Sequence, residues 1–262
     1  MTSAGKSGDV DRIDCSELLA RAIQLAGVDE TGESAEYWRT IRLLHRRPER
    51  DVFERAARCC VSTVSIERLV GADVLAQLGD AGEGGVRPFS HESVPVLRAL
   101  LFDPDNRVIA SAIHALGHHR RATVDDVGRL ARHESARIRW AVSCALREDD
   151  PAALAILMEL TTDVDGDVRD WATFAIGTLS EADSPEIRTA LRARLIDDDE
   201  DVRNEAMVGL ARRRDTGVIQ QIADALDGSD PGRLVFDAAD EILAAWPEQE
   251  LITRALDKWR TK

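Results

Sequence analysis

The 262 residues carry 34 Lys and Arg against 48 Asp and Glu, a net charge of −14. That balance argues against binding along a phosphate backbone, and no run of eighteen apolar residues offers a membrane span. Cys15, Cys59, Cys60 and Cys144 form no CxxC pair, so no disulfide framework is expected, and they read as reduced, buried thiols of a cytoplasmic protein.

In chain order, Met1 to Asp11 is small and polar and is expected to be disordered. It lacks the apolar core of a secretory signal. Ser16 to Ala26 reads as an amphipathic helix, Gly27 to Glu33 as a polar break, and Ser34 to Arg46 as a second helix. Together, over residues 12–46, they are expected to cap the N-terminal end of a stack of helix pairs. Asp51 to Ser62 and Ser65 to Gly79 form the first helix pair, and the Gly-rich Asp80 to Phe89 reads as an inserted loop. Regular units run from Glu92 to Arg214, and Thr216 to Leu226 with Arg233 to Ala245 makes the last pair. After Pro247, Glu248 to Arg260 reads as a terminal helix whose Leu251, Ala255 and Trp259 close the other end, so that 247–262 is a second cap. Residues 12–262 are expected to form one domain without a long linker.

The units repeat. Val108, Ile138, Val168 and Val202 stand at the same place in four similar stretches, spaced 30, 30 and 34 residues apart. A period of this size signals stacked repeats. Weaker copies are anchored at Val70 and Leu234. Positions four and eight after each strong anchor are apolar: Ala112 and Leu116, Val142 and Leu146, Ala172 and Ile176, Ala206 and Leu210. At 100° per residue they share one helix face. Leu97 and Leu100, Val127 and Leu130, and Leu157 and Leu160 mark a shorter helix before the anchor. Each unit is therefore two helices joined by a tight turn.

That turn is rich in Asp: Asp103 and Asp105; Asp163, Asp165 and Asp167; Asp197, Asp199 and Asp201. Such side chains accept from the free N–H groups of the following helix and suit its dipole. Arg139, Arg169 and Arg203 each follow an anchor and are expected to pair with Asp of a neighbouring turn, a structural ladder.

The D-x-D-x-D-V-R turn and its helices, over Asp51 to Ala245, resemble a HEAT repeat, in particular the short bacterial HEAT-like repeats first named for phycobilin lyases. The resemblance implies an all-α fold, a right-handed α-α superhelix of about five or six helix pairs with helical caps. It also implies that the second helices line a concave side. There the positions turned from the core, two, five, six and nine after the anchor, hold Trp140 and Asp170, Asn204, Ile113 and Met207, and His114, Phe174 and Val208. This row is more apolar than a solvated face, as binding surfaces often are. The alternative is that these side chains touch one another between adjacent units, or that a terminal helix covers them. Trp171, three after its anchor, is expected to pack against the next unit.

Metal and cofactor sites are not expected. His114 and His118 are four apart, but His118 lies at a helix end, and HHRR from His118 reads as a cationic C-terminus, as do Arg147 and Arg212 to Arg214. DVDGDV and DDDEDV begin like an EF-hand loop but carry Val168 or Val202 where Gly is required, and Phe174 or Val208 where Glu is required. The repeat-built deoxyhypusine hydroxylases hold two irons with His-Glu dipeptides. The matching positions here, Asp170–Trp171 and Asn204–Glu205, contain no His, and His133–Glu134 falls in the preceding turn. HEAT-like DNA glycosylases pair aromatic residues and an Asp with a basic face, and no basic stripe is present here. The resulting expectation is a non-catalytic scaffold or adaptor binding a protein or peptide of basic or mixed charge through Trp140, Asp170, Phe174, Asn204, Met207, Val208 and His114. No nucleic acid or membrane partner is expected. The alternative is an enzyme on the same scaffold, bilin-lyase-like, glycosylase-like or hydroxylase-like.

Overall fold

The computed structural model describes residues 14–28, 32, 34–82, 86–146, 150–228 and 230–261. Met1 to Asp11 and Arg147 lie outside them. The described helices group into two compact units divided after Ala122.

In the first unit, α1 (Cys15–Val28) pairs with α2 (Ala35–His45), α3 (Arg50–Cys60) with α4 (Ser65–Ala76), and α5 (Ser90–Leu100) with α6 (Asn106–His118). The second helices α2, α4 and α6 pack side by side. Local chemistry sets their starts: Ser34 accepts from the Tyr37 N–H, and Asp105 from the Arg107 N–H. Gly71 lets α4 press onto α3, since a Cβ there would lie 2.7 Å from the Ala56 carbonyl oxygen. A buried polar link joins the row. Asp73 of α4 accepts from the Tyr37 hydroxyl of α2 and the Ser111 hydroxyl of α6. Burial pushes the Asp73 carboxyl up to about 6, against those two bonds.

In the second unit, α7 (Val124–Val127) runs into a 3-10 turn (Gly128–Arg132) and packs ahead of α8 (Ala136–Ala145). Then come α9 (Pro151–Leu160) with α10 (Gly166–Phe174), which continues as a π-helical turn (Ala175–Leu179). Next are α11 (Pro185–Arg194) with α12 (Glu200–Arg212), and α13 (Ile219–Leu226) with α14 (Gly232–Ala245). The second helices α8, α10, α12 and α14 again stand side by side. The last helix, α15 (Glu250–Arg260), packs on α13. It buries Ile252, Ala255 and Leu256, while Leu251 and Trp259 stay exposed, a rotation of the expected face.

The four strong anchors and the apolar positions four and eight beyond them are all buried. Of the two weak copies, the last keeps its register: Leu234 is half-buried, and Ala238 and Ile242, four and eight beyond it, are fully buried. In the first pair Arg68 donates to the Ser62 carbonyl, six residues back. Arg139 and Arg169 make the same bond to His133 and Asp163, so the true anchor is Glu67 rather than Val70. Of the four cysteines only Cys60 is buried; the other three are half-buried.

Candidate functional site

The Asp-rich turns are held by their own protein partners. Asp163 accepts from the Asp165 N–H at 2.9 Å, and Asp165 from the Val168 N–H at 3.3 Å. Asp197 accepts from the Asp199 N–H at 3.1 Å, and Asp199 from the Asp201 N–H at 2.9 Å. Asp167 and Asp201 are exposed in the first turns of α10 and α12, where negative charge suits the dipole. Arg139 forks onto Asp163 at 2.7 Å, and Arg169 donates to Asp197 at 2.8 Å. Arg203 donates to the Asp197 carbonyl at 2.7 Å. Burial alone raises Asp163, but the bonds from Arg139 and the Asp165 N–H together outweigh it and hold the carboxyl below its usual range.

A different chemistry gathers on α8, α10, α12 and α14. Trp171 of α10 stands between Trp140 of α8, centroids 6.1 Å apart, and Phe174 of its own helix, 5.4 Å apart, both edge to face. All three rings are half-buried. Asp170 and Glu205 adjoin them. Burial first, then the charges of Asp201, Asp199 and Asp167, push Asp170 up to about 6. Burial first, then the Asp170 charge, push Glu205 up to about 7. Among the described residues, the buried side-chain polar atoms that lack a hydrogen-bond partner include Asp170 Oδ1, Trp171 Nε1 and Glu205 Oε2. Native interiors rarely leave such groups unpaired, and Thr178 bonds to the Glu205 side chain, which works against the rise of that carboxyl.

The backbone makes this arrangement. Gly177, in the π turn, meets Gly209 of α12, which brings α10 and α12 close. The buried guanidinium of Arg213 then donates to the carbonyls of Ile176, Gly177, Ser180, Ala182 and Gly209 and satisfies the end of the π turn. Single π turns inside helices recur at functional sites. Beside it lies a cleft of about 630 Å³ lined by Phe174, Thr178, Glu205, Val208 and Arg212 and by Arg233, Asp237, Asp240 and Glu241 of α14.

The structure thus brings together Trp140, Asp170 and Phe174. It corrects three others. Asn204, Met207 and Val208 are at most 8% exposed, because α14 packs along α12 and covers positions that a single helix would leave to solvent. Val208 still lines the acidic cleft, while Asn204 and Met207 line a separate one with Arg203 and Asp224. Ile113 is buried, and His114 is half-buried on α6 of the first unit. Trp171, Thr178 and Glu205 were absent from the sequence-derived set. Trp171 and Glu205 occupy the same position, three after the anchor, and an aromatic and an acid at a core-edge position were the available signal.

Two rows of second helices, each backed by first helices, with short turns between, define a helical-repeat protein. Residues 94–177 match the family model of HEAT repeats, and the chain is similar to HEAT-repeat proteins. Protein YibA of Escherichia coli strain K12 is 28% identical over 238 residues, 83% of each chain, and YibA of E. coli O157:H7 matches to the same extent. The crystal structure of E. coli YibA superposes with a TM-score of 0.67 at 24% identity, over 95% of this chain and 98% of that one, which shows a shared fold.

Proposed function

We propose that this chain is a non-catalytic binding module, a scaffold or adaptor that takes a protein or peptide segment along the face of α8, α10, α12 and α14. The half-buried run Trp140–Trp171–Phe174 carries the reading. Aromatic side chains that helix packing could have buried are instead left in part to solvent, and Trp is the residue most enriched where binding energy concentrates. The acidic cleft beside the run selects a segment of basic or mixed charge. A cytoplasmic setting suits the free thiols. No helix among the described residues is long and apolar enough to cross a membrane.

The test is affinity capture from native lysate with the wild-type chain and the double variant Trp140→Ala, Phe174→Ala, helicity being matched by circular dichroism. A partner held by the wild type and lost by the folded variant is expected. The same proteins on both would end this reading.

One observation supports a second reading. Asp170 and Glu205, near 6 and 7, would suit general acid–base work beside an aromatic wall. The acidic lining then selects a neutral or cationic small substrate. Turnover abolished by Glu205→Gln with partner capture intact would favour this enzyme over the adaptor.

A further inference from the structure

Resting on the docking reading above, we infer that the cleft between α10, α12 and α14 seats the guanidinium of an arginine side chain carried by the docked segment. The charge of the cleft sets the sign of the ligand. Glu205, Asp237, Asp240 and Glu241 line it, and its two arginines are already engaged, Arg212 with Glu181 at 3.1 Å and Arg233 with Asp237 at 3.5 Å. An anion would face this excess directly, so a phosphorylated or carboxylate-bearing group is rejected by the same lining.

Hydrogen bonding sets the kind of cation. Glu205 takes a bond from the Thr178 side chain, and its Oε2, like the carboxylates of Asp240 and Glu241 in the same lining, offers acceptors for further donors. A guanidinium brings five donors in one plane and loses less on leaving water than an ammonium does. It also stacks on aromatic rings, and Phe174, edge-on to Trp171, forms one wall of the cleft.

The chain already builds such a seat for one of its own arginines. In the first unit, Arg50 lies 5.1 Å from the centre of the Phe53 ring and 5.6 Å from that of Phe89. Its Nη1 donates to both oxygens of Glu92, at 2.9 and 2.8 Å. Aromatic wall and carboxylate fork together hold one guanidinium there. The cleft offers the same two elements, Phe174 and Glu205, and the arginines that line it pair with other carboxylates, Arg212 with Glu181 and Arg233 with Asp237.

The experiment uses the full chain, immobilised, and three libraries of blocked hexapeptides randomised around one central residue: arginine, lysine or citrulline, the last being the neutral near-isostere of arginine. The arginine library is expected to be retained about tenfold over citrulline and clearly over lysine, with that preference lost in Glu205→Gln, because removing one partner of a desolvated charge pair costs at least this much. Should Glu205→Gln fold poorly, Asp240→Asn, on the exposed rim, is expected to reduce the same preference. Equal retention of arginine and citrulline, lost only in Trp140→Ala, would overturn the arginine seat and leave the docking face standing. Equal retention of arginine and lysine would overturn the guanidinium assignment in the same way. Retention of no library, together with lysate capture indifferent to Trp140→Ala, Phe174→Ala, would remove both readings at once.

Discussion

Gly209 of α12 lies so close to Gly177 of the π turn that a Cβ on Gly209 would come within 2.7 Å of the Gly177 Cα and 3.1 Å of the Leu191 side chain. Backbone cannot move aside as a side-chain end can. Gly209→Ala is therefore expected to separate α10 from α12 and to destabilise the fold by about 1–3 kcal/mol, the usual result of overpacking. Urea unfolding measures the loss. Because the same contact positions Trp171 and Glu205, tryptophan emission is expected to change in the folded variant as well.

The repeat was legible because every second helix must bury the same face, and that requirement writes one apolar pattern at a period of 30 to 34 residues. The Asp turns were legible for a similar reason: each helix start needs an acceptor, and Asp supplies it. The site was legible only in part. A helical wheel turns Trp140, Asp170 and Phe174 outward, and in the structure all three are half-buried. It could not know that α14 covers Asn204, Met207 and Val208, since that depends on how closely two helices approach. Trp171 and Glu205 sit at a position that is core edge in a regular unit. The π turn and the Gly177–Gly209 contact are features of the backbone, and no residue pattern in one helix announces them.

Stability should report the two raised carboxyls. The ordinary values are 4.5 for Glu205 and 3.8 for Asp170, and the folded values are about 7 and about 6. A raised folded value means that the folded state holds the proton more tightly, so stability grows as pH falls from about 8 through these values and is lost as pH rises. Facing Glu205 are Asp170, Asp201 and Asp237, with Thr178, Asp240, Glu241 and the arginines Arg212 and Arg233 around the cleft. Glu205→Gln removes the main titrating group. It is expected to raise Tm at pH 8 by about 2–4 °C, the equivalent of about 1 kcal/mol in a chain of this size, and to leave Tm at pH 5 unchanged. A differential scanning series from pH 5 to 8 measures this, and parallel curves for the two proteins would contradict it.

The ladder should behave as a coupled pair. Arg139 and Asp163 are about one-tenth exposed and share two bonds at 2.7 Å, while Arg139 also holds the His133 carbonyl and Asp163 the Asp165 N–H. A double-mutant cycle of Arg139→Ala and Asp163→Ala is expected to give a coupling of about 1–3 kcal/mol, larger than that of exposed pairs. The fully surface pair Arg254–Glu250 is the internal control, with an expected coupling of about 0.5 kcal/mol or less.

Arg213 is the strongest single test of how the site is built. Its guanidinium is buried, and burial pulls its pKa below the ordinary value; the nearby charges of Asp183 and Glu181 act against that fall. What compensates its burial is a set of five carbonyls, from Ile176, Gly177, Ser180, Ala182 and Gly209. Arg213→Ala leaves several of these acceptors buried without a donor, at a cost of about 3 kcal/mol or more. Arg213→Lys keeps the charge but not the fork, so it is expected to recover less than half of the loss. The effect should reach beyond stability. With the π turn released, Thr178 and Phe174 lose their setting against Glu205, and the edge contact between Trp171 and Phe174 loosens. Near-ultraviolet circular dichroism should therefore weaken in folded Arg213→Lys, while the far-ultraviolet helical signal persists. A variant with native near-ultraviolet signal would show that the aromatic run holds its geometry without Arg213.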